Sequence, residues 1–100
     1  MLADSATELA TTRAFVYETL RRVDAGEDVG SAASMCKLAA SEMVGRVADR
    51  AVQIHGGMGL VRQFPVERFY RDVRLFRLYE GTTQIQQIII GRNMVREARA

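Results

Sequence analysis

Ser31 to Ile54 is a run of 24 residues without proline, with apolar or small side chains at Cys36, Ala40, Met43, Val47, Ala51 and Ile54. Steps of four and three put all six on one side of an α-helix. No other feature constrains the fold so strongly, because a helix this long must find partners for that side. Ala39, Ala40, Ser41, Gly45 and Ala48 are small enough for a second helix to approach closely. "HGGMG" then stops the helix, since glycines reach backbone shapes that other residues resist.

The remaining segments also read as helices. Leu2, Ala6, Leu9, Val16, Leu20 and Val23 form a stripe that ends at "DAGEDVGS", and Ser5 and Glu8 have the spacing of a capping box. Pro65 suits the first turn of a third helix, with Val66, Phe69, Tyr70, Val73 and Phe76 as its buried face and Gly81 at its end. Glu67 and Arg71 stand four apart, the better order for a surface ion pair. Thr82 or Thr83 caps a fourth helix, and Thr83 and Gln86 repeat the capping-box spacing. The expected fold is all-α: one domain, residues 1–100, forming an antiparallel four-helix bundle with short connections. A chain of this length buries roughly 60–70% of its unfolded surface.

One detail disturbs a self-contained bundle. Ile85, Ile88, Ile89 and Val95 make one face of the last helix, whereas Ile90 and Met94 point elsewhere. A helix apolar on two sides needs two partners, either a copy of this chain or a further domain.

Several function classes are disfavoured. The longest apolar runs are three or four residues, too short to span a bilayer, and no signal-peptide order opens the chain. Cys36 is the only cysteine, so it forms no internal disulfide and reads as a small buried hydrophobe suited to a reducing compartment. One histidine and one cysteine do not make a zinc site. The basic residues are thirteen arginines and one lysine, Lys37, yet the net charge is only +2, a weak surplus for a nucleic-acid binder. Arg68, Arg71, Arg74 and Arg77 step by three, about 60° per step, and so spread around a helix rather than lining one groove.

Two stretches could carry chemistry. Gly56, Gly57 and Gly59 exceed what one helix stop requires, so a ligand or a second backbone comes close to this loop. His55 beside them reads, taken alone, as a satisfied polar residue. "EGTT" is the better candidate. Helix four begins there with free backbone N–H groups and threonine hydroxyls, a natural anion site, and Glu80 stands immediately before it. A carboxylate on a short turn beside such a helix end suits a general base; on residues alone, a surface loop glutamate is the commoner case.

"QIHGGMGL", "FPVERFYRD" and "LYEGTTQIQQIIIGR", in this order and spacing, resemble the C-terminal helical domain of the acyl-CoA dehydrogenases. The similarity extends upstream through "SMCKLAASE" and "LADSATEL" and so covers nearly the whole chain. The resemblance implies that Glu80 takes the α-proton of an acyl-CoA thioester while hydride leaves the β-carbon for FAD, giving a trans-2-enoyl-CoA. The Glu80 backbone N–H and Gly81 would lie near the thioester, where donors stabilise the developing enolate. Thr82, Thr83 and Gln84 match the stretch that contacts FAD. Gln53, Ile54, His55, Gly56 and Gly57 match the loop that touches FAD on a neighbouring subunit. Arg92 matches an arginine on the substrate side.

The implied partners are an acyl-CoA, an electron acceptor such as electron transfer flavoprotein, and further copies of the chain in a dimer or tetramer, with neither nucleic acid nor membrane insertion. Bacterial cytoplasm and mitochondrial matrix suit such an enzyme equally. Some relatives carry glycine at the position of Glu80 and place their base on another helix; this sequence keeps the glutamate. Gln63 stands near a usually acidic position, and Leu60 where an aromatic is frequent. Family members are much longer, so the bundle is expected to be one piece of a larger enzyme and inactive alone. The rival reading is a non-catalytic helical oligomerisation module of the same fold.

Overall fold

A computed structural model describes all residues, 1–100. The chain forms α1 (Leu2–Asp24), α2 (Gly30–His55), a 3₁₀ turn (Gly56–Leu60), α3 (Val66–Val73), a second 3₁₀ turn (Arg74–Arg77) and α4 (Thr83–Arg99). It is an all-helical, antiparallel four-helix fold with α2 as its spine: α1, α3 and α4 each pack on α2. No helix is long and apolar enough to cross a membrane.

The punctuation acts as the sequence suggests. Gly26 takes φ 80° after α1, and the Asp28 carboxylate accepts from the Gly30 N–H at 3.0 Å where α2 begins. Gly56 ends α2 at φ 63°. Pro65 caps α3, and the Glu67–Arg71 pair forms at 2.9 Å. Two local expectations fail. The third helix does not run on towards Gly81, because after Val73 it tightens into the 3₁₀ turn. Nor do Ser5 and Glu8 form a capping box: both lie inside α1, and Glu8 instead bonds Arg46 at 2.7 Å and also Arg50, both on α2.

The buried faces differ from the apolar stripes. On α1 the residues turned inward are Ser5, Glu8, Thr12, Phe15, Val16, Thr19 and Arg22, so of the expected stripe Val16 is covered while Leu2, Leu9, Leu20 and Val23 are exposed. Thr19 is buried; its hydroxyl donates to the Phe15 carbonyl and accepts from the Cys36 thiol at 3.3 Å. On α3 only Val66 is buried; Phe69, Tyr70 and Phe76 of the expected face are exposed. On α4 the buried positions are Thr83 and Gln86, with Ile89, Ile90 and Asn93 half-buried, and Asn93 donates to Ser31 at 2.7 Å. Ile85, Ile88, Met94 and Val95 lie in the open.

The core is correspondingly thin, consisting of Ala32, Met43, Ala48 and Val66. A compact protein of this mass exposes about 5,700 Å²; this one exposes 7111 Å² and measures 54 × 23 × 20 Å. It therefore buries less of its unfolded surface than its length led us to expect. The molecule is built to be covered.

Candidate functional site

The turn between the second 3₁₀ turn and α4 carries the densest chemistry. Glu80 is the only non-glycine residue with positive φ, 54°, and Gly81 follows at φ 88°. A side chain in the left-handed region costs roughly 1–2 kcal/mol. Strain of this kind persists only where the surroundings hold it. Two side chains do so. The Lys37 ammonium, from α2, donates to the Gly81 carbonyl at 2.7 Å and to the Phe76 carbonyl. The Gln86 amide, from the first turn of α4, donates to the Glu80 and Gly81 carbonyls at 3.4 and 3.5 Å. Gly81 cannot be larger without disturbance, because a Cβ there would stand 2.5 Å from that amide nitrogen.

The Glu80 carboxylate takes part in none of the chain's ion pairs. Residue Glu80, exposed in this chain, helps to line an open cavity of ≈ 460 Å³ together with Lys37, Ala40, Met43, Phe76 and Tyr79. The cavity wall is almost wholly apolar. Phe76 and Tyr79 pack against one another in its wall, with ring centroids 5.7 Å apart.

The start of α4 is fixed from both sides. Thr82 caps it, accepting from the Ile85 N–H at 3.2 Å. Thr83 turns inward and donates to Glu42 at 2.7 Å, and Arg77 donates to the other oxygen of Glu42 at 3.4 Å. Both threonine hydroxyls are thus engaged. What remains available at the helix start is the backbone N–H groups of Thr83 and Gln84, which have no intrahelical acceptor, together with the exposed Gln84 side chain.

The glycine loop lies elsewhere. Gln53, Ile54, His55, Gly56 and Gly57 are all exposed, and His55 Nδ1 is 2.8 Å from the Ala51 carbonyl oxygen. Gly59 accounts for part of the glycine excess within the chain itself: a Cβ there would meet the Val52 carbonyl oxygen at 2.8 Å. Gly57 has open space where a Cβ would be, so nothing in this chain requires it to be glycine. Lys37 and Gln53 share α2 and stand about 24 Å apart along it. One chain therefore does not bring the 53–57 loop to the Glu80 turn. Arg92 is exposed on α4, beside Val95, Arg96 and Arg99, and does not line the Glu80 cavity.

Comparison with known proteins places this arrangement. The sequence pattern described as "Acyl-CoA dehydrogenase, C-terminal domain" matches residues 1–95. The chain belongs to the acyl-CoA dehydrogenase family.

Among its relatives, the caffeyl-CoA reductase–Etf complex subunit CarC of Acetobacterium woodii is 44% identical over 91% of this chain and 24% of its own length. The crystal structure of an acyl-CoA dehydrogenase from Geobacillus kaustophilus superposes with a TM-score of 0.90 at 38% identity, covering 93% of this chain and 24% of that one. A structure described as the FAD complex of PigA superposes at 0.85 with 27% identity, covering 89% and 23%. This acyl-CoA dehydrogenase bundle spans about a quarter of the length of the relatives it matches.

Proximity along the sequence revealed Glu80, Gly81 and Thr82. It did not reveal Lys37, Gln86, Glu42 or Arg77, which hold the turn. Lys37 is the one lysine among fourteen lysines and arginines, and only that singularity marked it.

Proposed function

We propose that this bundle serves an FAD-dependent acyl-CoA oxidoreductase in which Glu80 moves the α-proton of the acyl thioester. One observation carries the reading: a carboxylate without an ion-pair partner, held in a strained backbone conformation beside an apolar cavity. A surface glutamate has no reason to accept that strain, whereas a base must be placed within hydrogen-bond reach of the proton it takes. The Cα–H electrons pass into the new Cα=Cβ bond as Glu80 receives the proton and hydride leaves Cβ. FAD, when bound, supplies the acceptor for that hydride. The Glu80 and Gly81 N–H groups stabilise charge building on the thioester oxygen. In the reverse direction the same carboxylate returns the proton, so dehydrogenases and reductases can share this turn.

The residues fit the cofactor. Unpaired N–H groups of Thr83 and Gln84 at the start of a 17-residue helix suit an anionic or carbonyl acceptor. Gln53 and the open backbone at Gly57 offer further neutral donors to a cofactor held by a neighbouring copy, and the outer ring nitrogen of a neutral His55, whose Nδ1–H is taken by the Ala51 carbonyl, offers an acceptor. The distance between these two sets makes an oligomer the natural setting, and exposed apolar surface on α1, α3 and α4 gives copies and further domains something to cover. Arg92 would act on the substrate side only through segments beyond the Glu80 cavity. Electron transfer flavoprotein is the proposed redox partner.

The test is Glu80→Gln in the full-length enzyme. Reduction of bound flavin by acyl-CoA should fall by at least about 10³-fold, between the effect of one acid–base group and a complete loss, with flavin content unchanged. Reduction at the native rate would remove Glu80 from the reaction.

A further inference from the structure

We infer that Lys37 is a positioning residue for Glu80, acting through the backbone of the turn; the inference rests on the reading of Glu80 as the base. The turn has little else to hold it. The N–H groups of Glu80, Gly81 and Thr82 make no backbone–backbone hydrogen bond: regular structure ends at Arg77, the last backbone bond is that of the Tyr79 N–H, and the ladder resumes only in α4. Across that gap stand two consecutive residues of positive φ, the first of them a glutamate that does not favour it. The Lys37 ammonium ties the gap to what precedes it, taking the Phe76 carbonyl before the gap and the Gly81 carbonyl within it. Tyr79 and Glu80 are thereby clamped from one point on the spine helix. Gln86 adds a second donor to the Glu80 and Gly81 carbonyls, at longer and weaker distances.

The choice of lysine follows from geometry. A single carbonyl oxygen cannot match a forked pair of donors as the two oxygens of a carboxylate do, and two carbonyls on different residues suit a compact ammonium with three rotatable donors. Arginine presents a fixed fork better matched to carboxylates. This chain uses arginine at thirteen of its fourteen basic positions. The one lysine lies where two backbone carbonyls must be gathered by a single cation. Lys37 also lines the Glu80 cavity, so the clamp and the carboxylate share one side of α2.

Misplacing a reacting group by about 1 Å costs on the order of 10²-fold in rate. In the full-length enzyme, Lys37→Met should therefore slow flavin reduction by acyl-CoA by roughly 10–100-fold. The acyl-CoA dissociation constant and the flavin content should stay within about twofold, because the carboxylate and the turn N–H groups that shift act on charge that develops only in the transition state. Lys37→Arg, whose fixed fork suits two divergent carbonyls poorly, should recover the rate only in part. Glu80→Gln is measured alongside. If Glu80→Gln is inactive and Lys37→Met reduces flavin normally, the clamp is overturned while the base stands. Native activity in Glu80→Gln overturns both. Loss of rate together with loss of acyl-CoA binding and flavin also overturns positioning and makes Lys37 a residue of general stability. Should Lys37→Met not fold, Gln86→Met tests the same carbonyl bracket. A several-fold loss of rate at unchanged affinity is expected there, and a native rate refutes the bracket.

Discussion

Glu80 pays for its position in backbone strain, and that strain can be measured separately from chemistry. At φ 54° a glycine would sit without penalty. Glu80→Gly should stabilise the full-length enzyme by about 0.5–1 kcal/mol, the relief of left-handed strain less the entropy a glycine gains when unfolded. The same substitution should abolish flavin reduction. Thermal unfolding checks the sign, and a lower Tm would mean that the Glu80 side chain makes stabilising contacts that offset its strain. At this scale the sequence showed half of the device. "EGTT" marks a carboxylate, a flexible residue and a helix start in four letters. The residues that hold them do not show, because Lys37 reaches Gly81 across 44 positions and Thr83 reaches Glu42 across 41. No local spacing encodes such contacts. Gln86 had looked like the second half of a capping box. It turns back instead to the carbonyls of the preceding turn, because Thr82, not Thr83, is the cap.

Helices are fixed by punctuation, but their orientation is fixed by what covers them. Glycines at 26 and 56 and proline at 65 set the element ends close to where the sequence places them. The stripes of α1 and α3 mislead because periodicity identifies an apolar face without naming its partner. Within this chain α1 turns inward a mostly polar side that also carries Phe15 and Val16, with Glu8 bonded to Arg46 and Arg50 and the Thr19 hydroxyl to the Cys36 thiol. The hydrogen bonds from Arg50 and then Arg46 hold the Glu8 carboxyl below the usual carboxylate range. Its folded value thus lies below its unfolded one, so the contribution of this clasp is complete above the unfolded value, about 4.3. It is lost as pH falls through the folded value. Exposure keeps the effect small. Amide exchange in α1 should therefore accelerate relative to the rest of the bundle as pH falls below the unfolded value, about 4.3. Glu8→Gln should lose that acceleration. Identical exchange profiles for the two proteins would show that the clasp contributes nothing. Glu18 and Glu67, lowered by Arg21 and Arg71, titrate in the same direction, and comparison with Glu8→Gln removes them from the difference.

Taken whole, the molecule has the surface of something that belongs inside a larger assembly. It exposes 7111 Å² where a compact protein of its mass exposes about 5,700 Å². The excess is apolar in character, since Leu2, Leu60, Leu78, Ile88 and Met94 are each more than half exposed. The last helix betrayed this in sequence through isoleucines on two sides. The same condition in α1 and α3 was hidden, because a one-sided stripe looks complete until the structure shows which side the chain itself uses. A hundred residues with four small buried apolar residues at the core cannot offset the ordering of the backbone by their own burial. Prepared alone, the chain should therefore self-associate at micromolar concentration and bind a hydrophobic dye. Its helicity should fall on dilution, because folding and association are then one equilibrium. Native mass, dye fluorescence and circular dichroism over a hundredfold dilution read all three. A dye-free monomer with a sharp, concentration-independent unfolding transition would show that α2 alone organises a sufficient core. In that case the exposed faces of α1, α3 and α4 serve contacts that stability does not demand. The distance between the glycine loop and the Glu80 turn argues for the first outcome, because two candidate cofactor-facing sets at opposite parts of one spine come together only between copies.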